Sequence, residues 1–397
     1  MLFSPDRHER LTDRAWDEAW VEAGIARILD DAEAAAGDDG LWPEHPDDHD
    51  DSWPGLPRSV YMGAAGVAWG MHAAGRSRPE LIRGLHERYL AEPDWPGRCD
   101  SYWAGEAGIL LVGHLLDPGN ADLDRLEEVV RANAGNPSNE LLWGAPGTMF
   151  VALEMYRRTG EERWAAAWRS SADVLWERWA LDEEAGGYLW TQLLYGNVDR
   201  YVGPGHGLAG NIQALHAGRE LLASDRRREL EERAVAVATA LAFREDGLAN
   251  WAPTVGPLAH RGRIRVQWCH GAPGVVAALA PVAPEDGAFT DLLVAGGDLI
   301  WAAGPLSTGQ GLCHGTAGNA LALLALHART GDELWADRAR RFAVHALEQV
   351  DRERSEHGMG RYSLWTGDIG VALAAQSCMH LRSGMPSLDW FDVIDPA

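Results

Sequence analysis

Gln267-Trp268-Cys269-His270-Gly271-Ala272-Pro273-Gly274 and Gly311-Leu312-Cys313-His314-Gly315-Thr316-Ala317-Gly318 are two versions of one phrase, a Cys-His pair set on a Gly-x-x-Gly turn. The same turn recurs with its first glycine at 63, 105, 144, 207 and 367, which makes seven copies. Recurrence of this kind marks a repeat architecture in which each unit is one supersecondary element. Each turn is followed by an apolar run, at 67–74, 109–116, 149–156, 211–216, 275–280, 320–327 and 371–378. Helices apolar on every side are buried ones, so these runs predict an inner set of helices whose N-termini carry the turns.

Between the inner runs lie longer stretches with charge on one face, at 123–134, 161–179, 227–243 and 332–350, which predict outer, half-exposed helices. Arg158-Thr159-Gly160-Glu161-Glu162-Arg163-Trp164 returns as Arg329-Thr330-Gly331-Asp332-Glu333-Leu334-Trp335, at the same place relative to its turn. The unit is therefore turn, inner helix, loop, outer helix. No terminal unit has the polar outer face of a solenoid cap. The fold expected is all-α, a closed α/α toroid of seven helical hairpins with seven inner and seven outer helices. The repeat runs from 63 to 370 without a break in composition, so residues 1–397 are expected to form one domain. Within the first sixty residues 10–36 reads as a helix. The acidic His- and Pro-bearing stretch 42–53 reads as a solvated surface loop rather than a metal site. A short hairpin is expected within 186–205.

All 35 basic residues are arginine, so a Schiff-base lysine for pyridoxal phosphate and a P-loop lysine are both absent. A formal charge of -24 argues against nucleic acid or an anionic membrane as partner. No apolar run reaches membrane-spanning length, and no basic start followed by an apolar core precedes residue 30, so a soluble cytoplasmic protein is expected. Four cysteines in a chain this long do not make a disulfide framework.

Two cysteines and two histidines admit a closed structural zinc site, a three-ligand catalytic site, or no metal. Structural sites place paired ligands a few residues apart on a knuckle, whereas here the members of each pair are adjacent and the pairs are widely separated. If one histidine ligates, the fourth position is open, which is the catalytic pattern. His206, in Gly203-Pro204-Gly205-His206-Gly207-Leu208-Ala209-Gly210, holds the same place before its turn as the two Cys-His histidines. It is therefore expected at the same cavity mouth.

With Ser59-Val60-Tyr61-Met62-Gly63-Ala64-Ala65-Gly66, Glu140-Leu141-Leu142-Trp143-Gly144-Ala145-Pro146-Gly147 and Tyr362-Ser363-Leu364-Trp365-Thr366-Gly367 added, the chain resembles the lanthionine synthetase C-like (LanC-like) family over nearly its whole length. Several motifs are closer to its eukaryotic-type branch. The resemblance implies Zn2+ held by Cys269, Cys313 and His314, with His206 as acid-base group. It also implies the reaction: Michael addition of a thiol to dehydroalanine or dehydrobutyrine, giving a lanthionine-type thioether. Arg265 matches a basic residue of peptide-cyclising members and is assigned enolate stabilisation. Glu140 stands where those members often carry aspartate, and is assigned a catalytic role beside His206. Trp268 and His270 are expected to meet substrate. The partners implied are a dehydrated peptide or protein, glutathione as an alternative thiol, and a separate dehydratase.

The chemistry agrees with this reading. A zinc-bound thiol ionises at neutral pH, and two cysteine ligands leave a third sulfur electron-rich. Attack on the β-carbon places charge on the carbonyl as an enolate, and a histidine can manage the protons near pH 7. Two readings of other classes stand beside it. One is a zinc-bearing protein that binds a peptide without turnover, which would not need His206. The other is an α/α-barrel glycosidase, suggested by nineteen tryptophans, but no facing carboxylate pair can be placed for it.

Overall fold

The computed structural model describes residues 2–49, 55–256 and 265–394. In chain order its helices are α1 Glu18–Ala35, α2 Ala64–Ala73, α3 Leu85–Ala91, α4 Glu106–Leu116, α5 Leu123–Asn133, α6 Ala145–Thr159 and α7 Glu162–Arg178. They continue as α8 Leu208–Ala217, α9 Ser224–Ala240, α10 Ala272–Leu279, α11 Gly287–Ala303, α12 Thr316–Thr330, α13 Glu333–His357 and α14 Asp368–His380. The even-numbered helices form the inner ring. Each packs on the next, and α14 returns to pack on α2. The odd-numbered helices surround them, so the fold is the seven-fold α/α toroid.

The inner helices begin directly after the first glycine of each turn, and none of these glycines offers a side-chain cap. Helix N-termini nevertheless need acceptors for their first N–H groups. The incoming chain supplies them. The first helical N–H donates to the carbonyl seven residues upstream in five units: Ala64 to Pro57, Glu106 to Cys99, Leu208 to Tyr201, Thr316 to Gly309 and Asp368 to Arg361. To do so the incoming segment lies flat across the first helical turn. A Cβ on the second glycine of each turn would fall well inside contact distance of a carbonyl oxygen of that segment, namely Val60, Tyr102, Leu141, Pro204, Trp268, Leu312 or Leu364. Gly-x-x-Gly is thus the sequence record of a backbone crossing. Four outer helices, α1, α5, α11 and α13, use aspartate caps instead, such as Asp17 on the Trp20 N–H and Asp122 on the Arg125 N–H.

A backbone belt joins neighbouring turns at the position two residues before the first glycine. The Cys269 N–H donates to the Cys313 carbonyl, Cys313 to Trp365, Trp365 to Tyr61 and Tyr61 to Trp103, at 2.9–3.1 Å. The belt therefore links five of the seven turns. In the third turn the equivalent N–H, that of Leu142, is bonded instead to the Glu140 carboxylate.

Some expectations need correction. Helix α1 starts at Glu18, because 10–17 runs as an extended strap against α13, with the Thr12 N–H on His345 Nδ1 and Arg14 paired to Glu348. Helix α1 is itself an outer helix, packed on α14 and α13. The stretch 227–243 is not one helix: α9 ends at Ala240 and β5, Ala242–Glu245, pairs with β6, Leu248–Trp251. Asp246 and Gly247 between them both have positive φ, the two-residue hairpin geometry that overrides the helical pattern. The hairpin expected within 186–205 is β3 Gln192–Leu194 with β4 Asn197–Asp199, and an unexpected one, β1 Ala180–Asp182 with β2 Gly187–Leu189, precedes it.

Two glycines of α4 separate the crossing from ordinary helix propensity. Gly108 faces the Tyr102 carbonyl, whereas nothing lies within 4 Å of a Cβ at Gly113. Gly108→Ala is expected to cost about 3 kcal/mol or more, and Gly113→Ala to stabilise by about 0.5–1 kcal/mol, as read from urea unfolding midpoints.

Candidate functional site

The belt positions bring side chains of different repeats to one mouth. Cys269, Cys313 and His314 each offer a ligand atom, all within 4.8 Å of one another. Both cysteines are buried and neither is in a disulfide. The direct backbone bond from Cys269 to Cys313 fixes the spacing of the sulfurs. Polar hydrogens point at them: Gln267 Nε2 donates to Cys269 Sγ at 3.0 Å, and the Tyr61 hydroxyl donates to Cys313 Sγ. Such donors orient the sulfurs and favour their thiolate form. The two thiols also share a proton. The hydrogen bond from Cys313 brings Cys269 down to about 7 against the effect of burial, and the same bond pushes Cys313 up. Burial holds the neighbouring His314 down at about 4, so it is neutral at physiological pH and its lone pair is available. A soft, buried donor set of two sulfurs and one nitrogen fits a zinc-class ion with one position left over.

The second half of the site comes from turns three and four, where the belt is not continued. Glu140 is fully buried. It accepts the Leu142 N–H at 2.9 Å and the Trp143 N–H at 2.7 Å, and its Oε2 lies 3.0 Å from His206 Nδ1. With its oxygens accepting from two backbone donors, Glu140 orders the imidazole so that Nδ1 carries the proton and Nε2 presents its lone pair. Burial lowers the His206 pKa, but the Glu140 hydrogen bond and charge outweigh it and the net shift is upward.

The other expected residues fall as follows. Arg265 is partly buried, and its charge acts on Cys269, Cys313, His206, His270 and His314. His270 is not one of the groups of the cysteine cluster, and its ring lies 6.0 Å from that of His206. Burial takes its pKa down to about 3, and its buried Nδ1 has no partner among the described residues. Trp268 is 0% exposed and packs on Trp103 and Trp365, so it forms part of the aromatic plug beneath the mouth.

Tyr61 and Gln267 were not assigned from the sequence, nor was Arg7, whose Nη2 reaches Gln267 Oε1 at 3.4 Å. Repeat register carried a signal for Tyr61, which stands two residues before its glycine as both cysteines do. Arg7 carried none.

A helical toroid with thiols, imidazoles and a buried carboxylate converging at one mouth defines a class of protein, and comparison with known proteins agrees. Residues 55–385 match the family model described as lanthionine synthetase C-like protein. The chain belongs to that family. It is 30% identical over 267 residues to "Glutathione S-transferase LANCL1" of Danio rerio, covering 62% of this chain and 63% of that protein. It is 35% identical over 140 residues to "LanC-like protein GCL1" of Arabidopsis thaliana, covering 33% of this chain and 28% of the relative. The chain thus spans less than two thirds of the length of these curated relatives. Among solved structures, nisin cyclase superposes with a TM-score of 0.56 at 14% identity, over 92% of this chain and 100% of that one.

If Glu140 sets the state of His206, Glu140→Gln lowers the His206 titration midpoint, followed by NMR, from above 6.5 to below it, because burial then dominates. In the wild type the raised pKa contributes stability that is full below 6.5 and is lost as pH rises through the folded value. The variant loses that contribution. It also sets an amide group against the Leu142 or Trp143 N–H, at a cost of about 1–3 kcal/mol.

Proposed function

We propose that the chain catalyses zinc-dependent addition of a thiol to dehydroalanine or dehydrobutyrine, acting as one domain in a reducing, cytoplasmic setting. The observation that carries this reading is the convergence of the Cys269–Cys313–His314 cluster with the Glu140–His206 pair at one mouth. A protein that only bound peptide through a metal would have no use for an imidazole oriented by a buried carboxylate. Zinc held by Cys269, Cys313 and His314 would supply a position at which a substrate thiol ionises at neutral pH.

His206 Nε2 takes the thiol proton. As sulfur bonds to the β-carbon, the π pair moves onto the carbonyl as an enolate, and His206 returns the proton to the α-carbon, which balances the reaction. Glu140 positions His206 and stabilises its cationic form in between. Arg265 offsets charge on the enolate oxygen. His270 and the aromatic plug containing Trp268 form the wall and floor against which substrate is held. An apolar ledge on the β3–β4 hairpin, with Leu193, Tyr195 and Val198 exposed, overlooks the site, and the Tyr195 ring lies 6.3 Å from that of His206. That ledge suits a polypeptide, so the thiol is assigned to a cysteine of the dehydrated peptide, giving a lanthionine crosslink after a separate dehydratase has acted.

Glutathione as the thiol is the second reading. It is favoured by Arg7 and Arg265 beside the cluster in an otherwise acidic chain, where they could meet the carboxylates of that tripeptide, and by the name of the Danio rerio relative.

Elemental analysis is expected to find zinc in the wild type, and Cys313→Ala is expected to lose it together with thiol addition to a dehydroalanine peptide, followed by mass. His206→Asn should keep the zinc and lower the addition rate by about 10²–10⁴. Parallel assays with a cysteine in the peptide and with free glutathione separate the two thiols. Zinc with no addition of either would leave the peptide-binding protein as the better description.

A further inference from the structure

The acidic loop that reads as plain surface in the sequence is folded against the end of α13, and the two together carry a second set of metal-binding groups. His45 and Asp47 belong to a single 3-10 turn, with His45 as its cap and Pro46–Asp48 as its body. Glu353 and His357 stand four residues apart on α13, on one face of the helix. One ligand atom from each of the four lies within 4.8 Å of the others. We propose that His45, Asp47, Glu353 and His357 form a second site for a divalent transition-metal ion of the zinc class, separate from the cysteine cluster, which clips the 45–48 turn to α13.

The spacings favour a shared ion over direct bonding. Asp47 Oδ2 lies 3.8 Å from His45 Nδ1 and 3.8 Å from His357 Nε2, and Glu353 Oε2 lies 3.9 Å from His357 Nε2. These separations exceed hydrogen bonds but suit donors about 2.0–2.2 Å from a common centre. The groups are also poorly matched without one. His45 Nδ1 accepts the Asp47 N–H at 3.3 Å, a bond that an ion would replace, and Glu353 Oε2 is buried with no hydrogen-bond partner among the described residues. A buried polar group left in this state needs an explanation, and a cation supplies it. Burial, and then the Arg361 charge, hold the His45 imidazole neutral, the form that ligates. Burial and the Asp47 charge work against ionised Glu353, and a bound cation relieves both. Arg361, the cation acting on this cluster, is itself engaged by Asp48 through Nε at 2.8 Å and through Nη2. Two imidazoles and two carboxylates make a harder donor set than the cysteine cluster.

The clip would have a local consequence. The loop walls a cavity lined by Glu44, His45 and Asp48 on one side and Arg58, Met62 and Gly63 of the first turn on the other. Asp48 and Arg361 both act on the His314 imidazole. Fastening the loop therefore fixes one flank of the mouth.

The test is titration of the metal-stripped full chain with Co2+, reading total binding alongside the thiolate charge-transfer absorption. Two equivalents are expected in the wild type, one of them without charge transfer. His357→Gln and Glu353→Gln should each weaken that silent equivalent by about tenfold or more and leave any charge-transfer band unchanged. Circular dichroism checks the fold of both variants, and Glu353→Gln serves if His357→Gln is misfolded. Saturation without a silent equivalent in the wild type, or a silent equivalent undiminished in both variants, overturns the proposal. Absence of the charge-transfer band would instead count against the cysteine cluster and leave this readout intact.

Discussion

Seven helix N-termini point toward one end of a closed ring, and each must find acceptors for its first N–H groups; Asn250 Oδ1 serves the Ala272 N–H of α10, and in five other units the acceptor is a carbonyl. The incoming backbone solves this by lying across the helix start, and everything else at that end follows from the crossing. It demands glycine at the second turn position, since any Cβ would displace a carbonyl. It also sets the residues just before each turn at matching heights around the rim. Side chains far apart in the sequence then meet without any loop having to be long.

That rim is uneven, and the unevenness places the chemistry. Where the belt runs, it holds Cys269 and Cys313 side by side through their own backbone bond. In the third turn the Leu142 N–H goes to a buried carboxylate that also orders His206. A rigid sulfur-bearing arc thus faces a segment whose backbone donors are spent on charge. Electrostatic preorganisation of this sort needs groups that do not reorganise during reaction, and Glu140, buried and saturated with donors, meets that condition.

The inner helices were legible because the crossing leaves a glycine signature and burial on all sides leaves an unbroken apolar run. The outer shell was less so. Helix α3 has only seven residues, and α11 carries glycines at 287, 296 and 297 that mask its pattern. The latter two leave room for the rings of Trp251 and Trp335. The 10–17 strap resembled helix because its contacts are with α13, far along the chain. At the site, the Cys-His pairs and His206 stood out by repeat register, whereas Glu140 and Arg265 were picked out only by the resemblance to the family. Tyr61 reaches the sixth turn through ring closure, and Arg7 reaches the fifth from the N-terminal segment before the strap, a contact that no sequence pattern encodes.

Closure has a further meaning for how the molecule is made. The inner helices α4, α6, α8, α10 and α12 each pack on the outer helix that follows in sequence, but α14 is covered by α1, far from it along the chain, together with α13. Helix α1 is synthesised long before α13 and α14, so its apolar face stays uncovered until both have been made. The nascent chain carries α1 as an unsatisfied surface while α2 to α12 are made, the kind of exposure that invites aggregation and recruits chaperones.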